Sequence, residues 1–294
     1  MNTVVLSARP VLLPAPDRGD DLRVRVTAPA GGGKLPLIVL SHGFGGSLDG
    51  YAPLVDHWTA HGFAVVQPTH LDSRTLGVTP DDPRYGDIWR IRVRDLTRVL
   101  DHLDLVEAAL PGLAGRLDRG RIAVAGHSWG AQTASMLLGA RVLDAGGVPG
   151  EDLTDPRVRA GVLFAVPGTG GADLTPFAAE HFAFMNPDFT GLTTPTLVVA
   201  GDKDQSALSV RGPEWFTDAY TLSPGARSLL TLHGAEHSLG GITGYAVTET
   251  TDESPERVEV IRRVSTAFLR SALDPADPSW PAADAGGLGR IDSK

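Results

Sequence analysis

Residues 121–143 read RIAVAGHSWGAQTASMLLGARVL, and this stretch decides the fold. RIAVA (121–125) has the apolar, β-branched character of a buried strand, and residues 129–144 have the spacing of a helix. GHSWG (126–130) joins them with a glycine two positions before and two positions after Ser128. A sharp strand-to-helix turn needs glycine there, because side chains would collide with neighbouring backbone. Ser128 is therefore predicted at the carboxyl end of its strand, where open α/β sheets bind ligands.

The rest of the chain repeats this alternation of strand and helix. Strands are predicted at about 22–27, 36–41, 63–67, 121–125, 160–166, 195–200 and 227–232. Helices are predicted at 51–62, 87–110, 129–144, 213–222 and 255–273. Strands that are apolar throughout suit a parallel sheet covered on both faces. We therefore predict an α/β fold, with a doubly wound, mostly parallel sheet flanked by helices.

The length of 294 residues is compatible with one α/β domain spanning residues 1–294. No internal repeat is apparent. An excursion rich in Gly, Pro and Phe at about 167–194 is a candidate cap or lid. The segment from about 274 is rich in Pro, Ala and Gly, and we expect an irregular C-terminal tail.

Composition and charge exclude several classes of function. The formal net charge is −9 and the 23 arginines are scattered, so nucleic acid is not an expected partner. The chain has no cysteine, which excludes disulfides, thiolate metal sites and a cysteine nucleophile. The first residues lack the pattern of a signal peptide, and no apolar run is long enough to span a membrane. We expect a cytoplasmic protein.

A serine nucleophile needs a base within hydrogen-bond reach and an acid that orients the base. Two downstream segments follow predicted strands, AGDKDQSAL (200–208) and HGAEHSLGG (233–241). His237 is the expected general base. Asp202 and Asp204 both lie in the expected loop for the acid, and spacing alone does not choose between them.

The loop HGFGG (42–46) follows another predicted strand and suits an oxyanion hole. The backbone N–H of Phe44 is expected to pair with that of Trp129, the residue after the nucleophile. We expect His42 to support this loop. The loop lacks the spacing and lysine of a phosphate-binding P-loop and the GxGxxG of a dinucleotide site.

His233, Glu236 and His237 match the H-x-x-E-H pattern of some zinc proteases. That pattern needs a helix to bring both histidines to one face, whereas this segment follows a strand and contains Gly234. We predict neither a metal nor a cofactor.

The motifs HGFGG, GHSWGA, GDKD and GAEH, in this order, resemble the α/β-hydrolase superfamily from about residue 20 to 273. Together with PTHLDS (68–73) and RVRDLTRVLDHL, the chain is similar to bacterial predicted dienelactone hydrolases and to chlorophyllase-like, cutinase-like and platelet-activating-factor acetylhydrolase-like esterases. The resemblance implies a triad of Ser128, Asp204 and His237, because the second aspartate of a GDxD stretch is typically the acid. True dienelactone hydrolases use a cysteine nucleophile, so that activity does not carry over.

The expected function is serine-dependent hydrolysis of carboxylic esters through an acyl-enzyme. Alternatives are a cofactor-free perhydrolase, an amide or lactone hydrolase with the same triad, or a non-catalytic binding protein on this scaffold. The substrate is expected to be a small-molecule or polymeric ester, apolar or aromatic. Candidate substrate-binding aromatics are Trp89, Trp215 and Phe216, although core packing explains them equally well. The sequence does not predict the oligomeric state.

Overall fold

The structure is a computed structural model that describes residues 4–244 and 251–294. Its strands are β1 (Val5–Leu13), β2 (Leu22–Pro29), β3 (Leu35–Ser41), β4 (Ala64–Pro68), β5 (Leu117–His127), β6 (Arg141–Val142), β7 (Val158–Phe164), β8 (Pro187–Asp188), β9 (Thr196–Gly201), β10 (Ser228–Leu232) and β11 (Gly289–Ser293). Its α-helices are α1 (Ala52–Ala60), α2 (Ile88–Asp101), α3 (Leu103–Ala108), α4 (Trp129–Leu137), α5 (Pro176–His181), α6 (Asp218–Leu222) and α7 (Pro255–Leu273).

Nine of the described strands form one sheet in the order β1-β2-β4-β3-β5-β7-β9-β10-β11. The six strands from β4 to β10 pair in parallel, whereas β1, β2 and β11 pair antiparallel at the edges. The central strands are largely buried: every residue of β4 and β9 is buried, and β5 is exposed only near its start, at Arg119 and Gly120. Such strands must be covered on both faces, and the predicted mostly parallel α/β sheet is confirmed.

The register of the sheet brings the predicted site loops to one edge. Ser41 at the end of β3 lies opposite Gly126 of β5, and His127 lies opposite Phe164 of β7. Gly201 at the end of β9 lies opposite Leu232 of β10. The loops that follow β3, β5, β9 and β10 therefore leave the same edge, as parallel strands require.

Helices cover the two faces of this sheet. α1 and α7 contact each other on one side, and α2 and α4 contact each other on the other. A buried hydrogen bond joins the first pair, from Trp58 Nε1 to Ser265 Oγ at 3.1 Å. α4 packs directly against β5 and β7, which holds the residues after Ser128 against the centre of the sheet.

Two predicted helices are shorter than expected. The helix predicted over 87–110 breaks at His102, whose φ of −115° and ψ of 32° separate α2 from α3. The helix predicted over 129–144 ends at Leu137. Gly139 then packs so closely on Gly191 that a Cβ would lie 2.2 Å from the Gly191 carbonyl oxygen. The helix does not continue through Gly139, because its φ of 117° lies outside the helical region.

The prediction of an irregular tail from about 274 is wrong in part, because β11 pairs with β10 near the C-terminus. β1 was likewise not predicted. Both are edge strands that gain stability from backbone pairing with a strand already in the sheet, so they need no strong apolar pattern.

The excursion at 167–194 carries α5 and β8. No helix in the described ranges is long and apolar enough to cross a membrane.

A buried ion pair ties α2 to the loops at the site edge of the sheet. Arg92 Nη1 lies 2.6 Å from Asp72 Oδ1, and both side chains are inaccessible to solvent. Arg92 also donates to the His42 carbonyl and to Thr133 Oγ1, while Asp72 Oδ2 accepts the Gly45 N–H. Burial alone would raise the pKa of Asp72, but the Arg92 guanidinium lowers it below its ordinary value.

Arg92→Met should lower the free energy of unfolding at pH 7 by about 3–5 kcal/mol, because it leaves the Asp72 charge buried without its cation. The pKa of Asp72 is lowered in the folded protein, so the contribution of the pair is present above the ordinary carboxyl pKa and is lost as pH falls. The difference in free energy of unfolding between wild type and Arg92→Met should therefore become smaller as the pH falls. Denaturant unfolding at several pH values measures it.

The control is the double variant Arg92→Met/Asp72→Asn, which removes both charges and should be less destabilised than Arg92→Met alone. A loss below about 1 kcal/mol for Arg92→Met at pH 7 would contradict a structural role for the pair.

Candidate active site

Ser128 occupies a sharp turn between β5 and α4. Its φ of 56° and ψ of −123° lie outside the helical and extended regions, so the backbone is strained at this residue. A Cβ on Gly126 would lie 2.1 Å from the Gly130 carbonyl oxygen, and one on Gly130 would lie 2.1 Å from the Ser41 carbonyl oxygen. Only glycine permits these approaches, which explains both glycines of GHSWG.

The structure brings together the three residues predicted as a triad. His237 Nε2 lies 2.9 Å from Ser128 Oγ, and His237 Nδ1 lies 3.0 Å from both carboxylate oxygens of Asp204. When the Nδ1–H donates to the carboxylate, Nε2 is left as an acceptor for the Ser128 hydroxyl proton. This is the arrangement that a serine nucleophile, a general base and an orienting acid require.

The two aspartates of GDKD have different partners. Asp204 is fully buried and contacts His237. Asp202 is partly exposed, and it accepts the Gly234 N–H at 2.7 Å and lies 3.3 Å from His233 Nδ1. Asp202 thus ties the loop after β9 to the loop after β10.

Burial raises the pKa of Asp204, although its hydrogen bond with His237 favours the ionised form and partly opposes this effect. The nearby Asp252 carboxylate also raises it. The carboxylate therefore relies on His237 for charge-assisted hydrogen bonding.

Two backbone N–H groups near Ser128 are available to an oxyanion. In the loop after β3, the N–H groups of Gly43, Gly45 and Gly46 each have an acceptor within the protein. Among the described residues the Phe44 N–H has no hydrogen-bond partner, and the Trp129 N–H belongs to the first turn of α4, whose donors lack intrahelical acceptors. The rings of these two residues meet edge to face, with centroids 4.7 Å apart.

His42 supports this loop from below, as expected. Its Nδ1–H donates to the Gly43 carbonyl at 2.6 Å, and its Nε2 accepts the His70 N–H at 3.0 Å. Burial, together with the neighbouring Arg92 guanidinium, lowers the pKa of His42 to about 4. The neutral ring is therefore fixed as one tautomer by its two partners.

Asp252 holds the His237 loop, and the sequence analysis did not identify it. Its Oδ2 accepts the Glu236 N–H at 2.7 Å and the Gly240 N–H at 3.0 Å, so the same oxygen binds the backbone on both sides of His237. No motif marks this role, because the contact joins residues that lie 12 and 16 positions apart in the sequence.

A second Ser-His-Asp set lies beneath the oxyanion loop. Ser41 Oγ is 2.8 Å from His70 Nε2, and His70 Nδ1 is 3.0 Å from Asp95 Oδ2. All three side chains are fully buried, whereas Ser128 is partly exposed. No substrate carbonyl can approach Ser41, so this set is structural.

Two cavities meet at Ser128, Phe44 and His237. One of about 370 Å³ is lined mainly by apolar side chains, namely Trp129, Pro167, Phe177, Phe182, Met185, Leu208, Trp215 and Phe216. The other, of about 530 Å³, has a more polar lining that includes the Gly43–Ser47 backbone, Arg74 and Ser238.

The structure places only two of the three predicted substrate-binding aromatics at this site. Trp215 and Phe216 line the apolar cavity. Trp89 does not line it: this residue lines neighbouring cavities beside Phe184, with the Arg90 guanidinium 4.4 Å from its ring centroid. Trp89 lies in the first turn of α2 and shares with Trp129 and Phe184 a cavity that Ser128 does not line.

The H-x-x-E-H segment forms turns after β10 and not a helix. His233 faces Asp202, whereas His237 faces Ser128 and Asp204. The segment therefore does not present both histidines to one point in space.

Comparison with known proteins finds a family match over part of the chain. The family model described as Chlorophyllase matches residues 17–143, which include the oxyanion loop and the nucleophile but end before Asp204 and His237. A search of curated proteins found no match. Over residues 17–143 the chain is thus similar to the chlorophyllases, a family of α/β-hydrolase serine esterases, and this similarity supports a hydrolase of the esterase type with the α/β-hydrolase fold.

Proposed function

We propose that the protein is a serine-dependent carboxylic ester hydrolase that works through an acyl-enzyme. The observation that carries the proposal is the continuous hydrogen bonding from Ser128 Oγ through His237 to the buried Asp204 carboxylate. The two N–H groups of Phe44 and Trp129 beside the serine support it, because ester hydrolysis develops negative charge on the carbonyl oxygen.

In the first half of the reaction, Ser128 Oγ attacks the ester carbonyl carbon while His237 Nε2 takes the hydroxyl proton. The Phe44 and Trp129 N–H groups bind the tetrahedral oxyanion, each worth about 3 kcal/mol. The C–O bond to the alcohol breaks, and the leaving oxygen takes the proton from His237. The acyl group stays on Ser128.

In the second half, water attacks the acyl-enzyme carbonyl and gives a proton to His237 Nε2. The second tetrahedral intermediate collapses to the carboxylic acid, and the proton returns to Ser128 Oγ. Asp204 keeps the His237 ring in one orientation and stabilises the imidazolium that forms in both halves.

We further propose that one part of the ester is apolar or aromatic. The cavity of about 370 Å³ has aromatic walls from Trp129, Phe182, Trp215 and Phe216. It is more than twice the size of a cavity of about 150 Å³ that holds benzene. An aryl group or a short alkyl chain fits it, and aromatic walls favour such groups.

Ser128→Ala should lower kcat/KM on p-nitrophenyl esters by at least about 10³-fold, because no nucleophile remains to form the acyl-enzyme. The measurement is a panel of acyl chain lengths with wild type and variant. Equal turnover by the two proteins, or none by wild type at any chain length, would refute the proposed function.

Asp204→Asn should lower kcat by about 10³- to 10⁴-fold, because an amide can donate to His237 and hold the ring in the wrong tautomer. Asp202→Asn is the matched control. Asp202→Asn should lower kcat less than about threefold, because an amide oxygen still accepts the Gly234 N–H and residue 202 does not contact His237. Steady-state kinetics on one ester compares them, and a larger loss in Asp202→Asn would reverse the assignment.

Phe177→Ala should lower kcat/KM on a bulky acyl or aryl ester about fivefold relative to an acetyl ester, a difference of about 1 kcal/mol for a partly buried ring. Phe177 lines the apolar cavity and is 56% exposed, so its removal should leave the fold intact. Trp89→Ala, outside this cavity, should leave the ratio of the two substrates unchanged. The substrate proposal fails if Trp89→Ala alters that ratio and Phe177→Ala does not.

A further inference from the structure

A chain of buried hydrogen bonds crosses behind Ser128 and joins three loops of the site. The Gly43 N–H donates to Tyr51 Oη at 2.9 Å, and Tyr51 Oη lies 3.0 Å from His127 Nδ1. On the other side of the same ring, His127 Nε2 lies 2.7 Å from the His237 carbonyl oxygen. This series of hydrogen bonds thus runs from the oxyanion loop through the nucleophile turn to the loop of the proposed base.

The direction of each bond follows from the chemistry of its partners. A carbonyl oxygen only accepts, so His127 Nε2 carries a hydrogen. Burial lowers the pKa of His127 to about 3, helped by the nearby His237, so the ring is neutral and Nδ1 is an acceptor. The Tyr51 hydroxyl must therefore donate to His127 and accept from Gly43. Burial also raises the pKa of Tyr51 to about 12, which keeps the phenol protonated.

The backbone of Tyr51 gives independent support. Its φ of 63° and ψ of 23° lie in the left-handed region, which a bulky residue rarely adopts and where glycine would be less strained. Its N–H donates to the Thr243 carbonyl at 2.9 Å, which helps to hold this conformation. A tyrosine at a position that favours glycine indicates that the phenol makes contacts that outweigh the strain.

The contacts around Gly43 show how closely the phenol fits. A Cβ on Gly43 would lie 3.3 Å from Tyr51 Oη and 3.4 Å from His127 Nδ1, which is closer than most such contacts in proteins. The absence of a side chain at Gly43 thus lets the phenol, the imidazole and the loop backbone meet at one point.

We propose that Tyr51 and His127 are positioning residues that fix the oxyanion loop, the nucleophile turn and the His237 loop relative to one another. The inference rests on the proposed function. Gly43 precedes Phe44, whose N–H is a proposed oxyanion donor, and His127 precedes Ser128, so each hydrogen bond involves a residue next to a reacting group. A misplacement of about 1 Å in such a group can lower the rate about 10²-fold.

Tyr51→Phe removes the hydroxyl and leaves the ring, so it breaks the hydrogen bonds to Gly43 and His127 with little change in packing. We expect kcat on a p-nitrophenyl ester to fall about 10- to 100-fold while KM stays within about twofold, because the geometry of the reaction is disturbed more than binding. Ser265→Ala is the matched control. It removes the acceptor of another buried side-chain hydrogen bond, from Trp58, on a helix away from the site.

Ser265→Ala should leave kcat unchanged. An unchanged kcat in Tyr51→Phe, or an equal fall in both variants, would overturn the proposal. Loss of activity in Ser128→Ala together with full kcat in Tyr51→Phe would reject the positioning role and leave the esterase intact. Activity that survives Ser128→Ala would reject the esterase itself.

Nuclear magnetic resonance of the wild-type protein with ¹⁵N-labelled histidine tests the directions of these hydrogen bonds, and a variant is needed only to assign the signal. From about pH 5 to about pH 9, one buried histidine should keep a hydrogen on Nε2 and none on Nδ1, with assignment through loss of the signal in His127→Asn. A hydrogen on His127 Nδ1, or titration of this ring in that range, would overturn the proposed chain.

Discussion

The close approach of the nucleophile turn to the oxyanion loop is the constraint on which the rest of the site depends. Gly130 of α4 packs so tightly on Ser41 and His42 that any side chain would meet their carbonyl oxygens. Because α4 begins at this contact, its first N–H groups stand beside the loop after β3. The strained backbone of Ser128 results from the same geometry, since the chain must reverse from strand to helix within one residue.

Exposure, and not hydrogen-bond geometry, separates the two Ser-His-Asp sets of this protein. The distances in the buried set of Ser41, His70 and Asp95 are nearly those of the set at Ser128. Only Ser128 opens into cavities, and only Ser128 stands beside free N–H groups among the described residues. The buried set instead joins the Arg92–Asp72 pair in holding the oxyanion loop from below.

The sequence predicts the central sheet well because buried parallel strands must be apolar along their whole length. It predicts Ser128 and its glycines for an equally local reason, since the turn admits few residues. Tyr51 and Asp252 escape prediction because their partners lie in loops that only the folded chain brings near. The position of Trp89 in the sequence likewise gives no sign that this residue lies outside the apolar cavity at Ser128.

The central claim is that Ser128 is activated by His237 and is the nucleophile. Labelling with a fluorophosphonate, followed by peptide mass spectrometry, tests it most directly, because the reagent needs an activated and accessible serine hydroxyl. The account predicts one phosphonate per chain, on the peptide that contains Ser128, and its loss in His237→Ala. Labelling at Ser41 or another residue, or labelling of Ser128 that is unaffected by loss of His237, would contradict it.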